Sequence, residues 1–297
     1  MTKIKYSLFL MIIAFAASCT ERIDINVDDA PPRLVINGHI STDVEQHRTS
    51  VRITRSAGYF TYGSPVGVSH AVVTISDDDG NEFTLRESDE EAGLYQTDDD
   101  NQRGEEGKNY TLDVKVDVDG NAHHYRATAH LPPMNDVDSV RLRMSSHFEK
   151  IAEVLVFADF SDLPEENRFS VFVSLNDSVL NQGVDRVIVS SGILNGMPCY
   201  VLNQNPESER KNRLSLGDVV TVNINAITKE YADFISEVNS ELRGSNPIFG
   251  GPPANVKTNI RCIKPENRQV SGFFAAFAVR YASVTVEEDF IDEIDNK

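Results

Sequence analysis

Cysteine, histidine and clustered carboxylates are the side chains through which this chain could do chemistry, and it has three cysteines, seven histidines and 46 acidic residues. Cys19 has the most informative surroundings. It follows Ala16-Ala17-Ser18 directly, at the end of an apolar run from Tyr6 to Ala17 that begins behind Lys3 and Lys5. This arrangement resembles the bacterial lipobox, in which the cysteine sulfur receives a diacylglyceryl group and the cysteine becomes the new N-terminus. Leucine is the preferred residue three places before the cysteine; Ala16 is a permitted substitute. Cys19 is therefore the predicted lipid attachment site. Two acyl chains hold a protein stably at a membrane where one holds it marginally, since each buried methylene contributes about 0.8 kcal/mol.

If Cys19 carries lipid, Cys199 and Cys262 remain, an even count for an oxidising compartment. A Cys199–Cys262 disulfide is the expectation, with two separate buried thiols as the alternative. The bridge would close a loop of roughly 60 residues and contribute about 4 kcal/mol by chain entropy.

The other candidate motifs fail on spacing. Asp77-Asp78-Asp79-Gly80-Asn81-Glu82 invites a calcium loop, but counting from Asp77 the sixth and twelfth positions hold Glu82 and Ser88 instead of glycine and glutamate. A solvated hairpin turn is the plainer reading, and Asp98-Asp99-Asp100 reads as a charged loop. His123 and His124 are adjacent, so in a strand they point to opposite faces and cannot chelate together. Gly67-Val68-Ser69-His70 lacks the second glycine and the strand-to-helix setting of a nucleophile elbow. No catalytic residue, metal ligand or cofactor is assigned. A non-enzymatic role is expected, with a hydrolase built on an unrecognised carboxylate pair as the alternative.

The elements that would position these residues begin with residues 1–18, a lipoprotein signal peptide. Its apolar run is short of the roughly 20 residues a spanning helix needs. Residues 19–32 are polar and acidic and read as a tether. Loss of Lys3 and Lys5 with the leader leaves 26 of the 28 basic side chains against all 46 acidic ones, taking the formal charge from −18 to −20. Such a surface repels nucleic acid, which is bound through Lys and Arg, and anionic lipid headgroups alike.

Residues 33–131 alternate apolar and polar almost throughout. The clearest run is Tyr110, Leu112, Val114, Val116 and Val118, reversed at Asp119-Gly120-Asn121. Short strands at this density predict an immunoglobulin-like β-sandwich. Pro132-Pro133 ends it, and residues 135–290 predict a second β-rich (α+β) domain. One amphipathic helix over 228–243 interrupts that domain. Its stripe is Tyr231, Phe234, Ile235, Val238 and Leu242, with Thr228 as cap and Gly244 as stop. Small residues near the C-terminus (Gly272, Ala275, Ala276 and Ala278) predict close approach by another element. The proline-rich loop 246–255 carries Ile248 and Phe249. Either they contact a partner on a loop preset by proline or they fold back onto the second core.

The order of Pro32 to Ile40, Arg55 to Phe60, Ala71 to Gly80, Gly93-Leu94-Tyr95, Thr228-Lys229-Glu230-Tyr231 and Ser271-Gly272-Phe273-Phe274 resembles a family of Bacteroidota outer-membrane lipoproteins, named only as domain of unknown function family 4249. The resemblance covers nearly the whole mature chain and implies an outer-membrane location, often beside a TonB-dependent receptor. It implies no catalytic residues. The expectation is a lipid-anchored envelope protein acting as an accessory or binding component of such a transport system. The rivals are a lipid-anchored hydrolase acting on glycan or peptide and a structural or adhesin subunit.

Overall fold

A computed structural model of the chain describes residues 33–43, 45, 47–56, 65–98, 102–145, 153–160, 167–181, 187–194, 196–204, 213–244, 256–266 and 268–290. The first half contains β1 (Leu34–Ser41), β2 (Ser50–Arg55), β3 (Val66–Gly67), β4 (Val72–Asp77), β5 (Glu82–Glu87), β6 (Leu94–Gln96), β7 (Asn109–Val118) and β8 (Asn121–His130). Beyond Pro132-Pro133 come β9 (Ser139–Met144), β10 (Glu153–Asp159), β11 (Arg168–Leu175), β12 (Ser178–Val179), β13 (Val187–Ser190), a short helix α1 (Ser191–Leu194) and β14 (Tyr200–Asn203). The chain ends on β15 (Val219–Ile227), helix α2 (Lys229–Gly244), β16 (Arg261–Lys264) and β17 (Val270–Thr285). The protein is mainly β, in two β-rich parts with one amphipathic helix, as the alternation predicts.

Local chemistry explains the hairpins. In β7, Tyr110, Leu112, Val114, Val116 and Val118 are buried while the residues between them face outward. Asp119 and Gly120 both take positive φ, 55° and 79°, which a two-residue turn between twisted strands requires. At the β4–β5 turn the Asp77 carboxylate accepts from the backbone amides of Asp79 and Asn81. The Lys108 ammonium lies 3.1 Å from Asp77, 3.0 Å from Asp79 and 2.9 Å from Glu105. One lysine of the chain itself thus pairs with two carboxylates of this acidic turn. Burial would raise the Asp77 pKa, but its bonds to Asn81 and Lys108 outweigh that and hold it at about 2.

The strands hydrogen-bond along one path, β12-β11-β15-β17-β1-β2-β6-β5-β4-β7-β8-β16, with β13 on β11 and β3 on β2; β14-β10-β9 form a separate sheet. The boundary expected at Pro132-Pro133 is therefore recrossed by the last two strands. β17 runs parallel to β1 from Leu34↔Val270 to Ser41↔Phe277 and then antiparallel to β15 from Ala226↔Ala278 to Val219↔Thr285. β16 pairs with β8. The strands of residues 33–131 are thus joined by strands from the other half, because an unpaired flank of β1 would leave its backbone groups without partners. The small-residue signal marks this junction. Gly272 takes φ of +98°, and a Cβ there would lie 2.1 Å from the Ile36 carbonyl oxygen.

β17 is buried on both faces from Phe273 to Val279. Phe274, Ala276 and Ala278 enter the main core. Phe273, Ala275, Phe277 and Val279 enter a second cluster with Ile227 and with Ala232 and Ile235 of α2. Helix α2 begins where expected. Thr228 Oγ1 accepts from the Tyr231 amide at 3.3 Å, and the Thr228 carbonyl accepts from Ala232 at 3.0 Å. Tyr231 and Phe234 stack with Phe273 at centroid distances of 5.3 and 4.9 Å. Leu242, the last residue of the predicted stripe, is 62 % exposed, so the helix departs from the sheet in its final turn. No helix among the described residues is long and apolar enough to cross a membrane.

Candidate functional site

Where α2 covers the sheet, it leaves a half-open cavity of about 470 Å³. Its floor is the face of β11, β15, β17 and β1 turned away from the main core. Strand alternation puts Ser170 and Phe172 of β11, Asn225 and Ile227 of β15, Phe273 and Phe277 of β17, and Asn37 and His39 of β1 on that face. Tyr231 and Phe234 of α2 form the roof, and His47, Ser50 and Arg52 line it from β2 and the turn before it.

The polar groups here are buried without being satisfied. Ser170 is 1 % exposed and Asn225 5 %. Among the described residues Ser170 Oγ, Asn225 Oδ1 and His39 Nε2 have no hydrogen-bond partner. Nor does Asn223 Oδ1, two residues before Asn225, although Asn223 Nδ2 donates to His47 Nε2 at 3.0 Å. A buried polar atom left without a partner costs about 1–3 kcal/mol, so four of them on one face is an expensive arrangement.

His39 stacks on Phe277 at 5.5 Å between centroids, and His47 meets the same ring edge-on at 5.8 Å. Burial first, then the neighbouring His47, push the His39 pKa down to about 4, against hydrogen bonds that the ring donates to the backbone of Arg48 and His47, which would raise it. His39 is thus a neutral imidazole with a bare Nε2. Arg52, the arginine lining the cavity among the described residues, is held by both carboxylate oxygens of Glu91. The cavity is polar, and among the described residues no carboxylate lines it. Ser170 Oγ and His39 Nε2 are not bonded to each other, so the pair lacks the contact through which a histidine activates a serine nucleophile. What the groups can do is hydrogen-bond a neutral molecule lying against aromatic rings.

A second hollow, about 1130 Å³, lies between α2 and the β16 segment and is bordered by Arg33, Lys257, Arg261, Arg268 and Glu266. None of the unpartnered buried atoms named above belongs to its lining.

The sites predicted from sequence fall elsewhere. Cys19, Ile248 and Phe249 lie outside the described residues. Cys199 and Cys262 are both free thiols, which corrects the expected disulfide. Their surroundings give the reason. Cys199 is buried against β10, its amide and Sγ both donating to the Val156 carbonyl at 2.8 and 3.3 Å. Cys262 pairs with Tyr125 of β8, in the other sheet. His123 is buried beside Tyr125, whereas His124 faces the opposite way and meets Asp113. Among the described residues no three His, Cys, Asp or Glu side chains gather as metal ligands would.

Sequence reasoning missed the cavity residues for one reason. Ser170 and Asn225 stand at the polar positions of alternating strands, which normally face water. Here helix α2 covers that face. The available signal was the amphipathic helix itself, following β15 directly and needing a sheet face to cover.

A family model described as "Domain of unknown function (DUF4249)" matches residues 20–283. No curated protein matches the chain. Among solved structures, the chain is similar to the apo β-glucuronidase 3 of Bacteroides uniformis, with 11% identity and TM-score 0.22 over 65% of this chain and 23% of that one. It is similar to the β-glucuronidase of Parabacteroides merdae at 11% identity and TM-score 0.23, again over 65% and 23%. A DUF4785 family protein of Legionella pneumophila gives 12% identity and TM-score 0.21 over 64% and 52%. The chain thus spans about a quarter of each glucuronidase and about half of the Legionella protein.

Proposed function

The chain belongs to the DUF4249 family, and from that membership and the cavity beneath α2 we propose that it is a lipid-anchored binding protein of the cell envelope. It captures a small molecule without transforming it and works beside a TonB-dependent transporter of the outer membrane. The observation that carries binding is the set of unpartnered buried atoms on the cavity wall, Ser170 Oγ, Asn225 Oδ1 and His39 Nε2. Polar atoms left unpaired on a cavity wall are the groups that a bound small molecule can satisfy. Holding is favoured over reaction because, among the described residues, no carboxylate lines the cavity and its arginine, Arg52, is matched by Glu91. Anchoring is supported by Ala16-Ala17-Ser18-Cys19 behind a lysine-led apolar leader, and the neighbouring transporter by the family resemblance.

Mass spectrometry of the mature N-terminus tests the anchor, with a diacylglyceryl-modified Cys19 as the expected result and an unmodified or differently cut N-terminus as the contrary one. Cross-linking in native outer membranes tests the neighbour. Recovery of a TonB-dependent receptor with the wild-type chain, and its loss with Cys19→Ser, supports the reading. Equal recovery with both, or none with either, counts against it.

A further inference from the structure

We propose that the ligand of the cavity beneath α2 is a neutral saccharide of one or two rings. This rests on the binding role proposed above and names its ligand class. Charge is decided first. Arg52 is matched by Glu91, His39 is uncharged, His47 Nε2 accepts from Asn223 Nδ2 and so carries no proton, and among the described residues no carboxylate lines the wall. A buried ammonium or carboxylate on the ligand would meet no counter-charge, and a desolvated charge without one is costly. The ligand is therefore neutral.

Hydrogen bonding is decided next. Asn225 Oδ1 is an acceptor. His39 Nε2 is an acceptor too, because the backbone of Arg48 and His47 bonds the other side of the neutral ring. Ser170 Oγ can donate or accept. The ligand must bring several donors within a few ångströms of one another and at least one group able to do either. Adjacent sugar hydroxyls meet that demand.

Shape and polarity agree. Phe277, held by His39 and His47, and Phe273, packed under Tyr231 and Phe234, supply flat apolar surface on the same wall. A pyranose carries an apolar face of ring C–H groups beside its ring of hydroxyls. The cavity, about 470 Å³, lies within the range of small-molecule sites, roughly 300–1,000 Å³. It is too small for a long glycan to enter whole.

The test is calorimetric titration of the full mature chain bearing Cys19→Ser. The probes are glucose, galactose, mannose, N-acetylglucosamine and maltose, with glucuronate, glucosamine, adenosine and glycylglycine amide as comparisons. At least one neutral sugar should bind, and at least 10-fold more tightly than glucuronate or glucosamine. Ser170→Ala should weaken that sugar at least 10-fold while leaving the melting temperature unchanged or higher; Asn225→Ser is the second variant. Tighter binding of a charged sugar, or sugar binding indifferent to both variants, would overturn the proposal. Binding of adenosine or the dipeptide amide that Ser170→Ala abolishes would overturn the saccharide and leave the binding role standing. Failure of every probe would count against both.

Discussion

Ser170 on β11 and Asn225 on β15 are register partners, both almost fully buried, and neither the serine hydroxyl nor the asparagine carbonyl has a hydrogen-bond partner among the described residues. Asn181 shows what the fold does with a buried amide whose role is structural. It is 1 % exposed, donates to the Val171 carbonyl at 2.8 Å and accepts from the Val173 amide at 2.7 Å. The same strand, β11, thus has a fully satisfied polar group beside it and an unsatisfied one within it, and only the second faces the cavity.

The contrast predicts opposite stability effects. Ser170→Ala removes an unpaired hydroxyl and should leave stability unchanged or raise it by up to about 1 kcal/mol, whereas Asn181→Ala orphans two backbone groups and should cost about 2–3 kcal/mol. Urea unfolding of the two variants measures this. A destabilised Ser170→Ala would mean that the hydroxyl has a partner after all.

His39 predicts a pH dependence. Its folded pKa, about 4, lies below the usual 6.5, so between those values the unfolded chain binds the proton more readily. The stability is fully present above pH 6.5 and is lost as the pH falls through about 4, by an amount on the order of 2 kcal/mol given the ring's partial exposure. His39→Gln should remove that component, so the stability difference between wild type and variant should change across this window and be flat above it. A constant difference from pH 7 to pH 4 would show that His39 titrates normally.

Much of this fold is legible in the sequence. The period of two in β7, the Asp119-Gly120 turn and the cap and first part of the stripe of α2 are local signals that the structure realises, whereas Leu242 at the end of that stripe is exposed. The partnership of β1 with β17 is not legible, because alternation identifies a strand and its faces but not its neighbour. The cavity is hidden for the same reason. A polar residue on an alternating strand reads as solvent-facing until the element covering that face is known.

Arg280 should hold the two halves together at a point the sheet does not reach. Its guanidinium donates to Glu106 at 2.7 Å, to the Met134 carbonyl at 2.8 Å and to Asp136 at 2.6 Å, and Glu106 accepts from the Met134 amide at 2.9 Å. Exposure decides which partner matters. The Glu106 side chain is 27 % exposed and Asp136 88 %. Arg280→Met should cost about 2 kcal/mol by stranding Glu106 and a carbonyl, whereas Asp136→Ala should cost less than about 0.5 kcal/mol. Equal costs in denaturant titrations would contradict this ranking.

The cysteines should label in sequence. Cys199 is buried, and desolvation pushes its thiol up to about 12, which withholds the reactive thiolate. Cys262 is half-buried. In the Cys19→Ser protein without reductant, a maleimide should modify Cys262 in the native state and Cys199 only after unfolding. If neither labels in denaturant until reductant is added, the two are bridged.

The last prediction separates two costs at one glycine. Gly80 and Gly272 both have positive φ, +89° and +98°. A Cβ at Gly80 meets nothing within 4 Å, whereas at Gly272 it meets the Ile36 carbonyl oxygen at 2.1 Å and the Asn37 side chain at 2.9 Å. Gly80→Ala therefore carries only the conformational penalty, about 1–2 kcal/mol. Gly272→Ala carries that penalty and must also push β17 away from β1, so it should cost about 3 kcal/mol or more. The location sharpens the expectation. β17 pairs with β1 over its first half and with β15 over its second, so separating it from β1 removes the main strand pairing between the two halves. Gly80→Ala should shift a single unfolding transition. Gly272→Ala should shift it further and split it, with far-ultraviolet circular dichroism and Cys262 labelling no longer changing together. A single transition in Gly272→Ala, displaced no more than in Gly80→Ala, would show that β17 does not couple the halves.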